Sequence, residues 1–175
     1  MILLVAGFTW WVQQLAGQLD DGPADESEIR DFFVIDYEIA ITDEDGQIKY
    51  EHVGARMDHW QKSQEVAVKS PRFTFHQGDK PPFYISAERG KVDGDGKTAY
   101  LLGEVRLDRE AFGQQDSIHA VTRDLTLWPD KQRAHTDEKA TAKGQRYSAE
   151  GVGMTIDLVA GTLELHSKAR GTYVP

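Results

Sequence analysis

Residues 83–107, FYISAERGKVDGDGKTAYLLGEVRL, decide the fold. Phe83 and Ile85 alternate with Tyr84 and Ser86, and Leu101, Val105 and Leu107 fall at even spacing, which places large apolar groups on one face of an extended strand. Between the two runs lies Asp93-Gly94-Asp95-Gly96. Asp-Gly pairs supply the positive φ that tight hairpin turns require, so this segment reads as an antiparallel reversal and not as a crossover helix. It resembles a calcium loop only superficially, because the third acidic position and the closing Glu of such a loop are missing.

Outward from this hairpin the same alternation recurs. It appears in Phe33, Ile35, Tyr37, Ile39 and Ile41, in Val66 and Val68, and in Phe73 and Phe75. It returns in Leu125 and Leu127, in Ile156 and Leu158, and in Leu163 and Leu165. Turn signals separate these runs: Asp45-Gly46, Gly78-Asp79, Gly113, Trp128-Pro129-Asp130-Lys131, Lys143-Gly144 and Ala160-Gly161. After Gly78 they lie about 14 to 18 residues apart, leaving about 6 to 9 residues per strand and roughly a dozen or more strands. Pro71, Pro81, Pro82 and Pro129 fall at strand ends or bends, where a missing N–H is tolerated. No window of comparable length carries helical spacing, so residues 32–175 read as one all-β domain of short antiparallel strands.

The chain start differs. Residues 1–19, MILLVAGFTWWVQQLAGQL, hold no charged residue. A bilayer-spanning helix needs about 20 mostly apolar residues, and Trp10 and Trp11 stand where interfacial aromatics would sit. The reading is an uncleaved N-terminal transmembrane anchor, with a buried terminal helix as the alternative. No Ala-x-Ala cleavage pattern ends the segment, and it lacks the Lys/Arg flank that orients anchors. Residues 20–31, with Asp20, Asp21, Asp25, Glu26, Glu28 and Asp31 against the single Arg30, read as an acidic linker broken by Gly22 and Pro23, with an acidic helix start as the alternative.

Composition removes whole classes of function. The 175 residues contain no Cys, and carry a formal net charge of −9. Thiolate chemistry and Cys-ligated metal are excluded, and an acidic chain is a poor match for non-specific nucleic-acid binding, which needs a cationic face. The six histidines, His52, His59, His76, His119, His135 and His166, show no metal-ligand spacing. Gly151-Val152-Gly153 lacks the strand-to-helix context of a phosphate cradle, and no Ser lies in a G-x-S-x-G elbow. The expectation is a non-enzyme with no catalytic residue, no metal and no cofactor.

The order of elements is similar to that of the LptC family of lipopolysaccharide-export components. The similarity is carried by the N-terminal segment, the first strand ending in Asp45-Gly46, Tyr50 and Ala55, Ser70-Pro71, and Phe83-Tyr84-Ile85-Ser86-Ala87-Glu88 with Gly90. It continues through Leu102-Gly103-Glu104-Val105-Arg106-Leu107, Thr136-Asp137, Ala149-Glu150-Gly151-Val152-Gly153-Met154, and Leu163-Glu164-Leu165 with Arg170, Gly171 and Tyr173. It spans about residues 1–174.

The resemblance implies an open β-jelly roll whose apolar interior shields acyl chains. It also implies a single-pass inner-membrane protein with the bulk of its chain in the periplasm. Lipopolysaccharide would come from the membrane subunits LptF and LptG, driven by the LptB ATPase, and pass to the bridge protein LptA. An acyl chain of about 12 to 14 carbons costs roughly 10 kcal/mol to expose to water, which gives such a groove its purpose.

The residues alone leave open whether the two apolar faces press together into a filled core or part into a groove, and the resemblance favours the groove. Family position points to Tyr37, Val68, Leu163 and Tyr173 as lipid-lining, and strand parity adds Ile35, Ile39, Phe73, Phe75 and Ile85. Plain core packing is the competing role for each. Gly46 reads as a turn residue with positive φ and Gly151 as a close backbone approach. The resemblance further implies that the last strand accepts LptA by strand addition, with Leu163, Leu165, Arg170 and Tyr173 as partner residues. A membrane-anchored β-sandwich scaffold without a lipid ligand, or a hydrolase with an unseen site, are the alternatives.

Overall fold

The computed structural model describes residues 29–174. The segments read above as an anchor (1–19) and as most of a linker (20–28) lie outside the described residues. Among the described residues ten strands follow one another: β1(Arg30–Thr42), β2(Ile48–Trp60), β3(Val66–Lys69), β4(Arg72–Gln77), β5(Lys80–Val92), β6(Ala99–Arg109), β7(Ile118–Trp128), β8(Arg133–Lys143), β9(Tyr147–Asp157) and β10(Thr162–Tyr173). All pairings are antiparallel, in the order β1-β2-β3-β5-β6-β7-β8-β9-β10, with β4 between β2 and β5. β3 and β4 are one row interrupted at Ser70-Pro71, where Ser70 adopts φ 51°. Among the described residues β1 and β10 are therefore the two free edges.

One expectation is corrected. The strands are fewer and longer than turn spacing suggested, most running 11 to 13 residues. The first strand begins at Arg30, within the stretch read as linker. The greater length has a cause: most long strands are interrupted near the middle by an irregularity instead of turning back. A line of irregularities crosses the sheet, with positive φ at Asp36 in β1, Asp124 in β7, Lys168 in β10, Gly103 in β6 and Gly153 in β9. Register shifts mark the same line between Ala87 and Arg89 in β5, and between Thr136 and Lys139 in β8. A bulge bends its strand and offsets the side-chain alternation, so both halves of a bent strand can face one interior. In β7, Ile118, Ala120 and Thr122 are buried in one half, and Leu125 and Leu127 in the other.

The polar groups that bulges free are satisfied locally. The Gly103 N–H donates to Asp124 Oδ1 at 2.8 Å. Buried Thr136 donates to the carbonyls of Arg123 and Asp124, both at 3.0 Å, and Thr122 to that of Lys139, also at 3.0 Å. These bonds answer the backbone accounting that a broken ladder leaves open.

The bend folds the first half of the sheet onto the second. The Lys49 ammonium at the start of β2 donates to the Asp130 carbonyl in the β7–β8 turn at 3.0 Å. The Gln77 side-chain amide at the end of β4 donates to the Leu158 carbonyl beyond β9. Between the layers lies one core cluster that includes Tyr50, Phe73, Phe75, Phe83, Ile85, Leu101, Leu107, Leu125, Leu127, Met154, Ile156 and Leu158. Tyr37 and Val68 are buried too, but outside that cluster.

Candidate functional site

The middle of the trough is closed. Phe75, Phe83 and Ile85 have no exposed surface and Phe73 has 3%, so three of the residues expected to line an open slide form a filled core. Apolar surface reaches solvent at the two ends, as an exposed edge strand at one and a cleft at the other.

At the N-terminal end the edge strand β1 presents apolar side chains to solvent. Ile35 is 58% and Ile39 39% exposed, and Phe32, Phe33 and Val34 are also exposed. The even alternation from Phe33 to Ile41 is interrupted at Asp36, whose left-handed backbone changes which side chains face inward. Phe33 instead lies beneath the guanidiniums of Arg30 and Arg56, 5.3 and 4.7 Å from its centroid. Tyr37 does point inward. Its ring lies across Gly54, where a Cβ would come within 2.6 Å of the Tyr37 oxygen. Its hydroxyl pairs with His52 Nε2 at 2.9 Å, and His52 stacks on Phe73 with centroids 4.1 Å apart. Burial pushes the His52 pKa down to about 4 and the Tyr37 pKa well above its usual value, so the pair is neutral and mutually satisfied.

The C-terminal end holds a cleft of about 490 Å³. Its walls are Ile118 of β7, Ala142 of β8, Tyr147 and Ala149 of β9, and Leu163 and Leu165 of β10, with Arg109 and Gln115 closing one side. Leu163 and Leu165 are half-buried here because their outward edge has no further strand. Gly151 lets β10 approach β9 closely: a Cβ on it would lie 3.1 Å from both Leu165 Cβ and the Ser167 carbonyl. Gly46, far off in the β1–β2 turn, has φ +79° and open space around it. Arg170 and Tyr173 lie further along β10 and are exposed, Tyr173 at 63%.

The structure thus gathers Phe73, Phe75 and Ile85 in the core, sets Tyr37 and Val68 at one end, and leaves Leu163 and Leu165 in the cleft at the other. Sequence reasoning missed Ile118, Tyr147, His52 and Arg109. The signal for Arg109 was present: the inward parity of Val105 and Leu107 carries on to it. Among the described residues no group of three or more His, Asp or Glu side chains is arranged to hold a metal, and no helix is long and apolar enough to cross a membrane.

Among the described residues the protein is a folded antiparallel sheet with two unpaired edges, an exposed apolar edge strand at one end and a partly apolar cleft at the other. The comparisons give the family. The family model described as lipopolysaccharide-assembly, LptC-related, matches residues 1–174. The chain belongs to that family, whose members serve lipopolysaccharide transport and are not enzymes. No curated protein matches the chain. Among solved structures it is similar in fold to LptH of Pseudomonas aeruginosa, described as the LptA-homologous periplasmic component of the lipopolysaccharide transport device. The likeness has TM-score 0.52 and 10% identity, and covers 87% of this chain and 100% of that one.

Proposed function

We propose that this chain binds lipopolysaccharide at the inner membrane, receives it from the LptF/LptG subunits driven by LptB, and passes it along β10 to LptA added as a further strand. The observation that carries the reading is the C-terminal cleft: an apolar opening beside a free edge, where an acyl chain leaving this fold would meet the interior of the next one. Strand addition supplies affinity through backbone hydrogen bonds while leaving the side-chain interior continuous for a ligand. On this reading the filled centre is the resting state, and Tyr37, Val68, Phe73, Phe75 and Ile85 meet acyl chains only as the layers part. Ile35 and Ile39, already exposed on the opposite edge, are where the ligand arrives. Residues 1–19 serve as the single-pass anchor, with the β domain in the periplasm.

Photo-crosslinking residues placed at Leu163, Tyr37 and Val68 in cells should each give a lipopolysaccharide adduct, with Leu163 the strongest. No adduct at any of the three would leave the scaffold reading in its place. Removing residues 162–175 should abolish capture of LptA, and retained capture would refute the assignment of β10.

A further inference from the structure

Among the described residues one buried charge in the cleft has no counter-ion. Arg109 is only 4% exposed, yet among the described residues no carboxylate lies within ion-pair distance of it. Its Nη2 donates to the Asp116 carbonyl at 2.7 Å and its Nη1 to the Gln115 side-chain oxygen at 3.1 Å, both neutral acceptors, and its Nε–H has none. The neighbouring Asp116 carboxylate is engaged elsewhere. It accepts from the backbone N–H groups of Ser117, Gln145 and Arg146, and pairs loosely with the Arg146 side chain at 3.8 Å. The Phe83 ring, 5.3 Å away, gives partial compensation.

Holding a guanidinium out of water without a partner charge is costly, so an anion that reached this one would relieve that cost. The surroundings are built for it. Gly161 in the β9–β10 turn makes room, since a Cβ there would lie 2.7 Å from Nη1. Gln115 is exposed at the rim, so its amide oxygen is a neutral stand-in that a ligand oxygen can replace. Beyond it run the apolar walls of Leu163, Leu165 and Ile118.

We infer that Arg109 is the anion-binding residue of the C-terminal cleft, taking a phosphate or carboxylate on the head of an acylated amphiphile whose chain lies along β10. This rests on the lipid-carrying reading above and adds to it a polar subsite: the cleft recognises the charged head as well as the chain. A guanidinium grips such a group through paired, charge-assisted bonds.

The test uses the full chain in detergent and native mass spectrometry with three probes: bisphosphorylated lipid A, its dephosphorylated form, and inorganic phosphate alone. The wild type should take up the phosphorylated lipid about tenfold more readily than the dephosphorylated one, a factor typical of one charge-assisted contact. It should take up inorganic phosphate hardly at all. Gln115→Glu, at an exposed position that leaves the core untouched, supplies Arg109 with an internal carboxylate and should reduce the preference to about twofold or less. Arg109→Met should do the same and Arg109→Lys should keep part of it. An undiminished preference in Gln115→Glu, an equal loss of both lipids, or equal uptake of both lipids by the wild type would overturn the assignment while leaving lipid carriage intact. Inorganic phosphate bound as well as the lipid would overturn the amphiphile. A wild type that takes up neither lipid would instead remove the carrier reading itself.

Discussion

The two ends of the folded sheet both bury polar side chains, and treat them oppositely. At the N-terminal end His52 and Tyr37 satisfy one another at 2.9 Å, sealed between Gly54 and Phe73. At the C-terminal end Arg109 has only neutral acceptors and an unmatched Nε–H, beside a cleft open along a free edge. A self-satisfied polar pair closes an interior, because its members lose bonds if parted. An unsatisfied charge keeps its end receptive, because a ligand can only improve its situation. The same antiparallel framework thereby acquires a latch at one end and a port at the other.

The largest expected effect is on pH. Folded His52 takes up a proton only near pH 4, whereas an exposed histidine does so near 6.5. The unfolded chain therefore binds more protons between these values. The stability this burial confers is complete above about pH 6.5 and is lost as pH falls toward 4, by up to about 3 kcal/mol. Denaturant melts at pH 7 and pH 4.5 should show this loss, and His52→Gln should remove most of it. An unchanged pH slope in His52→Gln would mean that the N-terminal end is not held by this residue.

A smaller effect is expected from the surface on which Tyr37 lies. Gly54→Ala inserts a methyl where the Tyr37 ring sits, costing about 1 to 3 kcal/mol as the ring is pushed out of place. Tyr37 fluorescence or a nitroxide on β1 would report the displaced edge strand, and an unperturbed β1 would show that Gly54 is incidental. The smallest effect sharpens the contrast at the other end. Arg109→Met replaces an unpaired buried charge with an apolar side chain, so thermal stability should change by less than about 1 kcal/mol or rise. A drop of several degrees would show that the charge is already compensated.

The class of fold was legible in the sequence because hairpin chemistry is local: Asp93-Gly94 and Asp45-Gly46 announce reversals whatever the tertiary setting. Strand number and facing were not, because they depend on bulges whose cause is long-range. Nothing in Phe-Val-Ile-Asp-Tyr says that Asp36 adopts φ 50°, and beyond that one residue the alternation no longer tells inside from outside. The filled centre was likewise beyond reach, since alternation places Phe75 and Ile85 inward without saying what meets them there. Leu163 and Leu165 were readable as apolar edge residues, but the cleft also needs Ile118, Tyr147 and Arg109 from strands distant in sequence. Only the fold brings them together.

Hydrogen–deuterium exchange of the full chain with and without lipopolysaccharide tests the central claim most directly, because it reads both ends and the core in one experiment. Amides of residues 109–118, 147–151 and 162–167 around the port should gain protection, while those of the Phe75–Phe83–Ile85 centre exchange faster as the layers part. Protection spread evenly over the surface, or no change around the port while lipid is bound, would contradict the account.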